Sequence, residues 1–364
     1  MAHDVASHLA RPPARFSCRA HAKPRALVVS ITVLAVLLGL TACGLFPASP
    51  SVIAQGQGLP SLRHVDWGFA ALHHPVWSPD GRWIAVLAGD DYAGAHVEVV
   101  SPNGQTRYDL SGWGCGEGSE PDFAWLPDGR LSCVNGDTPY PRLCVGAAPF
   151  RTCAAQRLNE PLGGAQLGLA WTPDGRSVLF PAMPNNVAQN DPDLYVLAPD
   201  GSVRQVLPFA DHYGVATPSF RPHTAGPDAQ LAYFRGNYVD MGVVHFDLVI
   251  SAVTEDASGT LTLGPARTIA SEQSPDSSVY AWSPSGRWLA VRYGDNRNGD
   301  KIALINPDNP TQTLDVVKAD LVDSSMFDPI WSPDGKTLIV FGSFGPQPYA
   351  IDIASYLASK GLQP

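Results

Sequence analysis

Long apolar runs are scarce in this sequence of 364 residues. The one that stands out, residues 26–40 (ALVVSITVLAVLLGL), is shorter than the stretch of about 20 apolar residues that a spanning helix needs. No second run of that kind follows, which excludes a polytopic helical membrane protein. Long helical periodicity is also missing, apart from a last turn at residues 354–360. The signatures GxSxG, HExxH and GxxxxGK with Ser or Thr do not occur, so the sequence offers no nucleophile elbow, zincin helix or phosphate loop. No CxxC pair or neighbouring histidine gives the cysteines zinc-ligand spacing.

What is present begins at the N-terminus. Arg11, Arg15, Arg19, Lys23 and Arg25 precede the apolar run, which ends in Leu40-Thr41-Ala42-Cys43-Gly44. Small residues before a cysteine suit the narrow cleft of a signal peptidase, and the thiolate is the group that takes a diacylglycerol. The arrangement resembles a bacterial lipoprotein signal with its lipobox. That resemblance implies removal of residues 1–42 and lipidation of Cys43, with acyl chains holding the protein in a leaflet at about 0.8 kcal/mol per buried CH₂. Residues 43–60 then read as a lipid-anchored flexible tether, rich in Pro, Gly, Ser and Ala. The expected location is the extracytoplasmic side of the cell membrane or outer membrane. Without residues 1–42 the chain keeps 19 of 24 Lys/Arg and 33 of 34 Asp/Glu, a formal charge of −14. That balance argues against nucleic acid or an anionic lipid surface as a partner, so membrane contact is expected through the lipid alone.

Four cysteines remain: Cys115, Cys133, Cys144 and Cys153. In an exported chain an even, clustered set reads as two disulfides. Three pairings exist. The favoured one joins Cys144 to Cys153 across a short hairpin and Cys115 to Cys133 between a long loop and its strand.

The body of the chain is repetitive. HPVWSPDGRWIAVL (74–87), FAWLPDGRLSCV (123–134), LAWTPDGRSVLF (169–180), YAWSPSGRWLAV (280–291) and PIWSPDGKTLIV (329–340) are copies of one unit. A sixth, TPSFRPHTAGPDAQLAYF (217–234), carries Phe220 and an insertion. The anchor aromatics Trp77, Trp125, Trp171, Phe220, Trp282 and Trp331 recur at a period that suits four short strands, a propeller blade. In S-P-D-G, Pro presets φ, Asp caps the backbone ahead and Gly takes the positive φ that closes the hairpin. These units resemble the TolB-like family of six-bladed β-propellers, with its WD40-like (PD40) repeats W-S-P-D-G-R/K and a following D-I/L-Y-V strand. The resemblance covers roughly residues 61–353. It implies an all-β chain made of a single six-bladed propeller with four-stranded blades, behind the signal and tether, with residues 354–364 as a C-terminal tail. The last unit supplies three strands, and residues 62–67 (LRHVDW) are expected to complete its blade and close the ring.

Inner strands should run from a channel mouth to the S-P-D-G turns on the opposite face. The mouth then collects loops rich in Asp, Asn and Tyr, such as GDDYAGA (89–95) with Asp90 and Asp91. Three positions before the anchors lie His74, Asp122, Gly168, Thr217, Val279 and Asp328, a column expected to line the channel near that mouth. His74, Asp90, Asp91, Asp122 and Asp328 are the candidate binding residues. The chain is expected to be a monomeric, non-catalytic module that binds or scaffolds an envelope protein or peptide, with no catalytic residue and no cofactor. The alternative is a propeller-only, metal-dependent hydrolase, lactonase or sugar-active enzyme holding a divalent cation on His74, Asp122 and Asp328. The segment DNRNGD (295–300) fails the EF-hand pattern and reads as a self-capped turn. Trp113, beside Cys115, is placed for an exposed contact or for covering a blade edge.

Overall fold

The computed structural model describes residues 52–55, 58–65, 72–88, 96–114, 122–135, 142–158, 162–165, 168–184, 193–207, 213–239, 242–256, 260–273, 279–295, 299–317, 327–342 and 348–364. Residues 1–51, with Cys43 and the expected signal, lie outside the described residues.

Six antiparallel sheets follow one another along the chain as the blades of a propeller. Blade 6 holds both ends of the fold, starting with β1 (Val52–Ile53) and β2 (Leu62–His64). Blade 1 comprises β3 (Leu72–Trp77), β4 (Ile84–Ala88), β5 (His96–Val100) and β6 (Arg107–Asp109). Blade 2 comprises β7 (Asp122–Trp125), β8 (Leu131–Asn135), β9 (Arg142–Gly146) and β10 (Ala154–Arg157). In blade 3 the inner strand is split into β11 (Leu162–Ala165) and β12 (Ala170–Trp171), both paired with β13 (Val178–Pro184), ahead of β14 (Asp193–Leu197) and β15 (Val203–Leu207). Blade 4 has β16 (Tyr213–Phe220), β17 (Gln230–Val239), the long β18 (Gly242–Glu255), a short β19 (Leu261–Leu263) and an outer β20 (Arg267–Gln273). Blade 5 has β21 (Tyr280–Trp282), β22 (Leu289–Asp295), β23 (Gly299–Asn306) and β24 (Asn309–Val317). β25 (Phe327–Trp331), β26 (Thr337–Gly342) and β27 (Tyr349–Asp352) return to blade 6 and are followed by α1 (Ile353–Ser359).

The first turn of each unit forms through its own side chains. In blade 1 the Ser78 hydroxyl donates to Asp80 Oδ1 (2.7 Å), which also accepts the Arg82 N–H (3.0 Å). The Ser78 oxygen in turn accepts the Trp83 N–H at 3.0 Å. Thr172 with Asp174 and Ser332 with Asp334 repeat the pattern. Gly81 takes φ +69°, and a methyl there would lie 3.0 Å from Pro333 in the matching turn of blade 6, so neighbouring turns abut.

Between blades the strands are apolar on both faces, because each blade is packed on two sides. The described residues form six buried clusters, one at each junction. The anchor aromatics tie each blade to the one before it. The indole N–H of Trp125 donates to Val76 O (2.9 Å), that of Trp282 to Ser219 O (3.4 Å) and that of Trp331 to Ala281 O (3.2 Å). Each acceptor immediately precedes the anchor of the earlier blade. Trp171 reaches the same place through a relay, donating to Ser132 Oγ (2.8 Å), whose hydroxyl donates to Ala124 O (2.9 Å). Trp77 is the exception: its Nε1 is buried without a hydrogen-bond partner.

Blade 6 is completed by β2, whose Leu62, Arg63 and His64 pair with Ile351, Ala350 and Tyr349. The described strand is Leu62–His64, and residues 66 and 67 of the expected 62–67 lie outside the described ones. Part of the expected tether and the expected C-terminal tail, whose helical turn is α1, belong to the folded body. Within the expected tether, β1 adds a fifth strand to blade 6, and the buried Gln55 amide donates to Val316 O on β24 (2.8 Å). Within the expected tail, α1 buries Ile353, Tyr356 and Leu357 at the blade 5–6 junction, and the Tyr356 hydroxyl donates to Asp315 O (3.0 Å). Apolar content explains the second: an Ile-x-x-Tyr-Leu stripe has more to gain from packing than from solvent.

A disulfide joins Cys144 on β9 to Cys153, with the Cα atoms 5.4 Å apart. Cys133 is also disulfide-bonded, and Cys115 lies outside the described residues. Trp113 covers the edge of blade 2: it packs on Gly146 and its indole N–H donates to Phe150 O (3.2 Å).

Candidate functional site

Of the six positions three residues before the anchors, Asp122, Val279 and Asp328 share one height on the inner strands, and bulges displace the other three. Asp122 pairs with Val134 and Asp328 with Phe341, while the Val279 carbonyl accepts the Arg292 N–H at 3.1 Å. His74 falls within a register shift between His73 and Val76, and Thr217 within one between Ala216 and Ser219. Gly168 stands between the two halves of the inner strand of blade 3. The side chains of His74, Asp122 and Asp328, and the whole of Asp90 and Asp91, lie outside the described residues. The backbone nevertheless fixes the order of the column: His74, Asp122 and Asp328 belong to blades 1, 2 and 6, which are consecutive around the ring.

The other half of the column, on blades 3 to 5, is built differently. Gly168 adopts φ +109° and Thr217 φ +46°, the latter unusual for a β-branched residue. A methyl on Gly168 would lie 2.8 Å from Thr217 Cα and 2.9 Å from Pro218 Cδ, so the two blades meet backbone to backbone. The Tyr280 hydroxyl lies 2.7 Å from both Thr217 O and Ala232 O and fastens blade 5 onto this bulge. Burial pushes the Tyr280 phenol well above its usual pKa, so the group is a permanent donor. This half offers a closed wall.

A charged group that spacing arguments miss sits on β5 and β6 of blade 1. His96 Nε2 is 3.3 Å from Glu98 Oε1 and 3.9 Å from Asp109 Oδ1, and Arg107 approaches Glu98 Oε2 at 3.5 Å. Burial raises the Asp109 pKa, but the Ser111 N–H and hydroxyl and the His96 charge outweigh it and hold the carboxyl below its ordinary range. His96 opens β5, and residues 89–95, which carry Asp90 and Asp91 and lie outside the described residues, precede it in sequence. The available signal was the His-x-Glu alternation, which puts both residues on one face of a strand. Among the described residues, no three of His, Cys, Asp or Glu are disposed to hold a metal ion, and no helix is long and apolar enough to cross a membrane.

No protein-family model matches the chain. Among solved structures, an oligogalacturonate lyase from Vibrio parahaemolyticus is similar, with TM-score 0.53 and 10% identity over 84% of this chain and 97% of that one. A gluconolactonase from Xanthomonas campestris gives TM-score 0.51 and 16% identity over 84% and 94%. TolB from Acinetobacter baumannii gives TM-score 0.43 and 14% identity over 77% of this chain, which spans 62% of the length of that protein. At these identities the likeness establishes a propeller fold and nothing finer.

Proposed function

We propose that this chain is an envelope lipoprotein, anchored through Cys43, whose propeller binds a protein or peptide at the mouth face without catalysing a reaction. The observation that carries this reading is the division of the mouth column. Titratable residues occupy three consecutive blades, whereas the remaining three present a backbone wall. A ligand is thereby met from one side, as suits an extended segment laid across the opening. Asp90 and Asp91, with Glu98 and Asp109 on the strands that follow them in blade 1, favour a partner with cationic side chains.

In intact cells, cross-linking of the wild-type chain is expected to give a discrete adduct. The same yield from a D90N/D91N/D122N variant would overturn the assignment of this face. A second reading rests on one histidine and two aspartates on the inner strands of consecutive blades: a hydrolase or lactonase using a divalent cation on His74, Asp122 and Asp328. It requires stoichiometric metal in the purified chain, or affinity for added Ca²⁺ or Zn²⁺. Absence of both in elemental analysis and calorimetric titration removes it.

A further inference from the structure

Every blade ends in an outer strand whose far edge has no neighbour in its own sheet, and such an edge is a template for another chain unless it is blunted. Among the described residues, five of the six edges are blunted. β1 is two residues long and β6 three. β15 packs against β19 of blade 4, where Thr260 Oγ1 accepts a bond from the Arg204 guanidinium at 3.1 Å. β24 gives its Asp315 and Val316 carbonyls to Tyr356 and Gln55. Register shifts interrupt the pairing of β20 with β18, and a bulged edge bends away from a flat partner. β10 differs: its four residues pair with β9 in unbroken register, and all four are exposed, so neither face is covered.

A strand without a packed face is held by other means. Phe150 before it and Leu158 after it are buried. The Cys144–Cys153 disulfide crosses the hairpin diagonally, since Cys144 pairs with Ala155. Alternation along an antiparallel ladder then fixes where the backbone groups point. The Leu126 N–H donates to Arg130 O at 2.8 Å, so the next bonded pair between β7 and β8 is Ala124 with Ser132. β8 therefore bonds to β9 through Cys133 and Cys144, and β9 to β10 through Leu143 with Gln156 and Val145 with Ala154. The N–H and carbonyl of Ala155 point out of the sheet edge. The charge of this hairpin is also distinctive. Residues 142–157 hold Arg142, Arg151 and Arg157 and no carboxylate, in a chain of formal charge −10. All three arginines are exposed, and Arg142 stands directly opposite Arg157 in the ladder.

We propose that β10 is a docking edge for an extended acidic peptide segment, which adds to blade 2 as a further strand. Main-chain bonds to Ala155 set the register, the arginines select carboxylates, and the small Ala154 and Ala155 leave room for larger side chains on both faces. A hairpin pinned at both ends before binding has little freedom left to lose. The surface lies on the outermost strand, away from the inner-strand column, and does not depend on the mouth-face reading.

The test uses the full chain and a synthetic probe, the acetylated and amidated peptide TVEVEVT, in calorimetric titration and in amide exchange followed by NMR. Saturable binding is expected, with exchange of the Ala155 amide slowed about tenfold or more at saturation. Replacing both glutamates of the probe by lysine should weaken binding about tenfold. N-methylation of the probe on either alternate set of residues leaves its charges intact, and one of the two sets should abolish binding. A155P should abolish it too while keeping Tm near wild type, because a proline there removes only the outward N–H. No binding of the glutamate probe at about 1 mM, comparable binding of the lysine probe or of both N-methylated probes, or unchanged Ala155 exchange overturns the proposal. If A155P does not fold, the N-methylated probes decide between edge pairing and charge alone.

Discussion

Tyr280 has one proton and two carbonyls within 2.7 Å, so its hydroxyl holds both the bulge at Thr217 and the second strand of blade 4. Y280F leaves two buried carbonyls without that donor. It should destabilise the fold by about 1–3 kcal/mol in urea unfolding, with no change of m-value. The position of Thr217 in the column was legible from its spacing to Phe220. Its left-handed backbone was not, because that conformation is imposed by Gly168 on one side and Tyr280 on the other, which are distant in sequence. Arg292 was equally hidden: in its own segment it is one residue in an alternating strand, and only tertiary packing makes it a buried charge.

At the scale of the turn, sequence and structure agree closely, because every contact is local. Ser332 and then the Lys336 N–H lower the Asp334 pKa; at Asp80 burial opposes, and hydrogen bonds from Ser78 and Arg82 prevail. A folded-state pKa below the unfolded one stabilises above the unfolded value, here about 3.8, and the contribution disappears as pH falls through the folded value. Tm should therefore hold from pH 7 down to about 5 and decline below about 4. A D80N/D334N variant should show a shallower acid limb in calorimetric scans. Asparagine is a fair replacement, since Asn103 already makes this turn with Ser101. The strand breaks and additions were not legible. The split of β11 from β12, the extra β19 and the fifth strand β1 depend on what lies in the adjacent blade, and no repeat pattern carries that information.

Around the whole ring the six junctions are unequal. Among the described residues, that between blades 6 and 1 has the smallest buried cluster, Ile84, Val86, Val100, Ile330 and Ile339 with Trp77 beside it. It is also the one whose anchor indole finds no acceptor. Removing the indole N–H should accordingly matter less here than elsewhere. W77F is expected to lose about 1 kcal/mol less stability than W125F in matched denaturant curves, because only Trp125 gives up a hydrogen bond. The repeat announced six blades but not this inequality, since all six units carry an aromatic anchor. The junction between blades 5 and 6 bears on connectivity. Gln55, near the first strand, and Tyr356, in the last helix, bond to consecutive carbonyls of β24, Val316 and Asp315. The two ends of the fold are thus held by one strand of blade 5. A circular permutant could join them by a linker and open the chain between two other blades, leaving the strand pair that closes blade 6 covalently joined.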